Sequence, residues 1–143
     1  MNILFINACV REGSKTLALC RQYLKRYPAD EITELTLNDM KLHPLTGASL
    51  EKRNLDLKSG NISSPAYDLA RQFASADEIV IAAPYWDLLC PAVLKIYFEN
   101  ISVVGISFGY VNNIPTGFCR AEKLTYITTA GGYIPETVLC GFI

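Results

Sequence analysis

Three short segments gather the residue types that bind phosphates and flat rings. The first, Asn7-Ala8-Cys9-Val10-Arg11-Glu12-Gly13-Ser14-Lys15-Thr16, runs from an apolar stretch into a helical pattern. A strand-to-helix turn of this kind aims backbone N–H groups and the positive end of a helix at one spot, which suits a phosphate. Ser14 and Thr16 add hydroxyls, Arg11 and Lys15 add charge, and Gly13 lets the backbone fold closely. Ser14 is equally the residue expected to cap the following helix. Neither G-x-G-x-x-G nor G-x-x-x-x-G-K-[ST] is present, so no dinucleotide or nucleoside-triphosphate fingerprint applies. The second segment, Pro84-Tyr85-Trp86-Asp87-Leu88-Leu89-Cys90-Pro91, sets the only tryptophan and a tyrosine between two prolines. Such a loop can wall a flat ligand, or pack its tryptophan against the core or a subunit interface. The third, Thr128-Thr129-Ala130-Gly131-Gly132-Tyr133, has small residues that let backbone amides approach a ligand's polar edge, and alone it is a turn.

The intervening chain must bring these segments together. Residues 2–7 read as a buried strand and 16–24 as a helix ending before Pro28; 31–37 reads as a second strand. A polar stretch over 38–64, with Pro44, Gly47 and Gly60, is expected to be irregular. Pro65 opens a helix through Leu69, Ala70 and Phe73, and 78–83 is a β-branched run of the kind buried in parallel sheets. Pro91 opens an amphipathic helix carrying Val93, Leu94, Tyr97 and Phe98, and 123–128 is a fourth strand. This alternation predicts one α/β domain over residues 1–143: an open, doubly wound parallel sheet with right-handed crossovers. Ligands of such sheets sit beyond the carboxyl ends of the strands, where all three segments fall.

Composition narrows the function. The 143 residues are 50% hydrophobic, and 13 basic against 14 acidic side chains leave a net charge of −1 without a basic run, which argues against nucleic acid. The start lacks the basic lead of a signal peptide, and the apolar stretch 79–94 is broken by Pro84, Asp87 and Pro91; both point to a cytoplasmic protein without a membrane span. The five cysteines include no C-x-x-C pair, and His43 is the only histidine, so neither a disulfide framework nor a metal site is expected. The cysteines have no assigned role; Cys9, beside the first loop, is the one to test for a lowered pKa. His43 is expected to be solvated rather than to reach the pocket.

The three segments, together with Ala76-Asp77 ahead of the 78–83 run and Pro91-Ala92…Leu94-Lys95 after it, resemble the flavodoxin-like NAD(P)H:quinone oxidoreductases and FMN-dependent azoreductases over residues 2 to 132. The resemblance implies a flavodoxin-like sheet holding FMN. Ser14, Lys15 and Thr16 would cradle its phosphate, with Arg11 available to add charge. Pro84, Tyr85, Trp86 and Asp87 would line the ring, and Thr129, Ala130, Gly131 and Gly132 would meet its pyrimidine edge. It implies ping-pong transfer of hydride from NADH or NADPH, through the flavin, to a quinone, an azo compound or a similar small acceptor, with no catalytic side chain required. It also implies a homodimer, for which the helix over 91–101 and the Val103-Val104-Gly105-Ile106 run are the candidate surface.

One departure is expected: about four strands are found where the family uses five, so the fold is read as C-terminally shortened, ending in a half-apolar tail over 134–143. Alternatives are an FMN-binding electron carrier and a truncated, catalytically weak relic of the fold. Cys9-x5-Lys15-Thr16 is also similar to the C-x5-R-[ST] loop of low-molecular-weight tyrosine phosphatases, but lysine lacks the planar fork of the arginine and no late Asp-Pro pair supplies an acid.

Overall fold

A computed structural model describes residues 1–133; the tail over 134–143, with Cys140, lies outside the described residues. Strand β1 (Ile3–Asn7) and strand β3 (Glu78–Ala82) are buried along their whole length, as their near-continuous apolar runs require of strands covered on both faces. Strands β2 (Ile32–Thr36) and β6 (Lys123–Ile127) flank them in a parallel sheet of order β2-β1-β3-β6. The register aligns Ile3 with Ile32 and with Glu78, and Glu78 with Lys123, so the carboxyl ends of all four strands form one rim.

Side-chain alternation divides the core. Ile3, Phe5, Val80 and Ala82 pack beneath helix α1 (Lys15–Leu24), which contributes Cys20 and Leu24. Leu4, Ile6, Ile79 and Ile81 pack on the other face, against Ala70 of helix α3 (Asp68–Ser75) and Leu94, Tyr97 and Ile101 of helix α4 (Ala92–Ile101). Because β1 lies between β2 and β3, the order of connection reverses there, and this opens a crevice at the carboxyl ends of β1 and β3. Among the described residues no helix is long and apolar enough to cross a membrane, and no group of three His, Cys, Asp or Glu side chains is placed to hold a metal ion.

Three expectations are corrected. The stretch 38–64 is not irregular throughout, since it holds helix α2 (Gly47–Ser59). Thr46 and Ser49 cap its start reciprocally, and Gly60 ends it in the left-handed region at φ 76°. The helix escapes a periodicity search because polar contacts hold it. Arg53 donates to the carbonyls of Glu99 and Ser102 at 3.3 and 3.0 Å, and the Tyr67 hydroxyl donates to Asp56 at 2.6 Å. Next, the chain after α4 forms an unforeseen antiparallel hairpin, β4 (Phe108–Val111) with β5 (Ile114–Gly117), turned by Asn112 and Asn113 at φ 51° and 65°. Finally, the apolar residues of 91–106 largely face inward: Leu94, Tyr97, Ile101 and Val103 belong to this protomer's core and are not available to a second copy.

Candidate functional site

The loop leaving β1 enters α1 through Ser14, whose hydroxyl accepts from the Leu17 N–H at 3.2 Å. Ser14 therefore caps the helix, and the positive end of α1 faces the crevice with Lys15 and Thr16 in its first turn. Gly13 adopts φ 69°, a conformation glycine takes without strain, and an added Cβ there would meet open space. The Thr16 hydroxyl is buried and lies 2.6 Å from the Thr129 hydroxyl in the loop after β6, which ties two walls of the site together.

The loop after β3 is tied to the same neighbour. Ala83 N–H donates to the Ile127 carbonyl and Tyr85 N–H to the Thr129 carbonyl, each at 3.0 Å. The chain then reverses between Trp86 and Leu89, whose backbones exchange hydrogen bonds of 3.2 and 2.8 Å. Asp87 and Leu88 make this reversal in left-handed conformations, φ 49° and 64°. For a leucine such a conformation costs about 1 kcal/mol, the kind of local strain that clusters at binding sites.

These loops enclose a cleft of about 460 Å³, within the range usual for small-molecule sites. Arg11, Ser14, Lys15, Thr16, Pro84, Tyr85, Trp86, Thr129, Ala130 and Gly131 all line it, and so does Gly13, which the sequence reading placed in the loop but not in the site. Asp87 and Gly132 do not line it. Asp87 is carried outward in the tight reversal, and Gly132 lies one residue past the contact made by Gly131, exposed to solvent. Among the described residues two cations line the cleft and no carboxylate does, so its polarity suits an anion. The Tyr85 hydroxyl is buried with no hydrogen-bond partner among the described residues. A buried donor in that state costs about 1–3 kcal/mol.

The Cys9 thiol is buried and lies 3.6 Å from the Ala82 carbonyl, and burial pushes its pKa above the usual thiol range. A buried thiol whose pKa is pushed up lacks the activated-nucleophile setting that a thiol phosphatase requires, which argues against that alternative. His43 is exposed and stands outside the cleft.

A family model described as "Flavodoxin-like fold" matches residues 1–137. The chain belongs to the flavodoxin-like fold family. Among its relatives is a protein of Coprothermobacter proteolyticus named "FMN-dependent NADH:quinone oxidoreductase", 39% identical over 111 residues; the match covers 78% of this chain and 55% of that protein. A protein of the same name from Clostridium beijerinckii is 36% identical over 141 residues, covering 94% of this chain and 71% of its own length. The flavodoxin-like chain thus spans between about half and seven-tenths of these relatives. In structure it matches an azoreductase from Bacillus anthracis with a TM-score of 0.77 at 24% identity, over 93% of this chain and 71% of that one, a likeness of fold.

Proposed function

We propose that the cleft holds FMN and that the protein passes hydride from NADH or NADPH, by way of the flavin, to a small acceptor such as a quinone or an azo compound. The observation that carries this reading is one cleft at the β1/β3 reversal that joins a helix N-terminus with two cations to an aromatic wall and a small-residue loop. The relatives named for the same activity support it. So does the fit: the backbone at Gly13 leaves open space beside the N-terminus of α1, where a phosphate would meet Arg11 and Lys15.

The residues divide the work by chemistry. Ser14, Lys15 and Thr16 hold the phosphate with backbone N–H groups, hydroxyls and one ammonium, and Arg11 adds charge from the rim. Pro84, Tyr85 and Trp86 fix the plane of the ring and exclude water from one side. Thr129, Ala130 and Gly131 would bring backbone N–H groups to the ring's polar edge, where they stabilise negative charge. Bound FMN supplies the two-electron hydride chemistry, so the protein's part is binding, orientation and electrostatics. The exposed apolar side chains Trp86, Leu88 and Leu89 at the mouth suit a second copy that completes the pocket, and the reading includes a homodimer.

A visible spectrum of the purified protein, taken with added FMN and then with NADH under anaerobic conditions, tests the reading. It expects a bound-flavin spectrum that bleaches with NADH. A bound flavin that NADH leaves oxidised would replace it with an electron carrier, and no flavin binding would leave the fold without the function.

A further inference from the structure

Behind the cleft, side chains that do not line it hold the first loop in place. Asn7 ends β1 and is 4% exposed. Its Oδ1 accepts from the Cys9 N–H at 3.0 Å, and its Nδ2 donates to Glu34 Oε1 at 3.0 Å. Glu34 stands on β2 opposite Phe5 and is gripped at both oxygens by Arg21 of α1, at 2.9 and 2.7 Å. The Arg21 guanidinium also lies 5.3 Å from the centre of the Phe5 ring. From the far end of β2, Asn38 Nδ2 donates to the Cys9 carbonyl at 3.0 Å. Both polar groups of Cys9 are therefore bonded to asparagine side chains, and the preceding N–H, of Ala8, donates to the Ala82 carbonyl at 2.9 Å. Two residues beyond Cys9 the chain reaches Arg11, and then Gly13 and Ser14, in the cleft wall.

A loop that offers backbone N–H groups to an anion works only if that backbone is already fixed when the ligand arrives. The pairing of Glu34 with Arg21 also cancels the carboxylate charge locally, so the strut does not repel the anion it serves. We propose that Glu34 and Asn38 are positioning residues for the phosphate end of the cleft: acting through Asn7 and the Cys9 peptide, they set the 9–14 backbone and hence the preference for a phosphorylated flavin over riboflavin. The proposal rests on the FMN reading above.

The test titrates the full chain with FMN and with riboflavin, following the quenching of flavin fluorescence, in wild type, Glu34→Ala, Asn38→Ala and Glu34→Gln. Wild type is expected to prefer FMN. Each alanine variant is expected to lose about tenfold in FMN affinity, the worth of one hydrogen bond involving a charged or fixed partner, while riboflavin affinity stays within about twofold. Glu34→Gln keeps an acceptor oxygen for Asn7 and should restore most of the loss. Asn38 is at the surface, so its variant folds even where Glu34→Ala does not. Parallel weakening of both flavins, or unchanged FMN affinity in the alanine variants, would overturn the proposal and leave FMN binding standing. A wild type that binds neither flavin overturns the FMN reading and the proposal with it.

Discussion

The hydroxyl pair Thr16–Thr129 offers a test of the site's architecture that needs no ligand. The two residues are 113 positions apart in the chain, and their oxygens are 2.6 Å apart. Thr16 is only 1% exposed, whereas Thr129 sits in the cleft wall and is partly open to water. Valine keeps nearly the same shape and removes the hydroxyl. In Thr129→Val the Thr16 hydroxyl is left buried without this partner, a loss of about 1–3 kcal/mol. In Thr16→Val the Thr129 hydroxyl can turn to cleft water, and the loss should be about 0.5–1.5 kcal/mol, the net worth of one neutral hydrogen bond. At about 3 °C per kcal/mol for a chain of this size, Thr129→Val should lower the Tm by about 3–9 °C and Thr16→Val by about half of that. The double variant, with neither hydroxyl present, should unfold close to wild type, because removing both partners of a buried pair is nearly neutral. Thermal unfolding followed by circular dichroism on the four proteins completes the cycle. Additive losses in the double variant, or a Thr129→Val protein as stable as wild type, would refute the inference that this bond joins the α1 and β6 walls of the cleft.

Two further outcomes follow from the parts of the fold the sequence reading did not foresee. Hydrogen bonds from Lys52 and Tyr67 lower the Asp56 carboxyl from its ordinary 3.8 to about 2, so its stabilising effect is complete above pH 3.8 and is lost as pH falls toward 2. An acid titration should therefore show a shallower slope between about pH 4 and pH 2 in Asp56→Asn than in wild type, and equal slopes would count against the contact. At Gly109 an added Cβ would lie 2.6 Å from Phe118 Cε2 and Cζ, so Gly109→Ala must push that ring off the hairpin at about 1 kcal/mol. Chemical denaturation should find this loss in the wild-type background and find it abolished in Phe118→Ala.

The sheet was legible because its central strands are chemically extreme. Ile3 to Ile6 and Ile79 to Ala82 are apolar on both faces, and only a strand covered by helices on each side can bury such a run. Pro91, Ser14 and Gly13 then mark where the strands give way to helices. Helix α2 was hidden for the opposite reason: Asp56 is its only buried residue, and Arg53 and Asp56 dock it by hydrogen bonds that leave no apolar period in the sequence. The hairpin did leave a signal, the Asn112-Asn113 pair between Val111 and Ile114, since asparagine tolerates the left-handed turn better than most residues. The apolar run just before it, 103–106, reads equally as a surface, although Val103 is in the core.

In the cleft, the boundary between what could and could not be read lies between adjacent residues. A parallel sheet dictates that the loops after β1, β3 and β6 meet at one rim, so assigning residues to those loops was enough to gather Ser14, Thr16, Tyr85, Trp86 and Thr129. Which side chain of a loop faces the cleft depends on its backbone angles, and these change sign within the Trp86–Leu89 reversal. Trp86 precedes the left-handed pair and lines the cleft; Asp87 begins the pair and does not. Aspartate is among the few residues that adopt this conformation readily, so its identity there is explained by the turn alone, without a ligand contact. Leu88 has no such excuse, being apolar, exposed and strained by its own backbone. A strained, exposed apolar side chain in a loop that also lines a cleft is the combination that a covering surface would repay, so the proposed dimer contact is better tested at Leu88 than along α4.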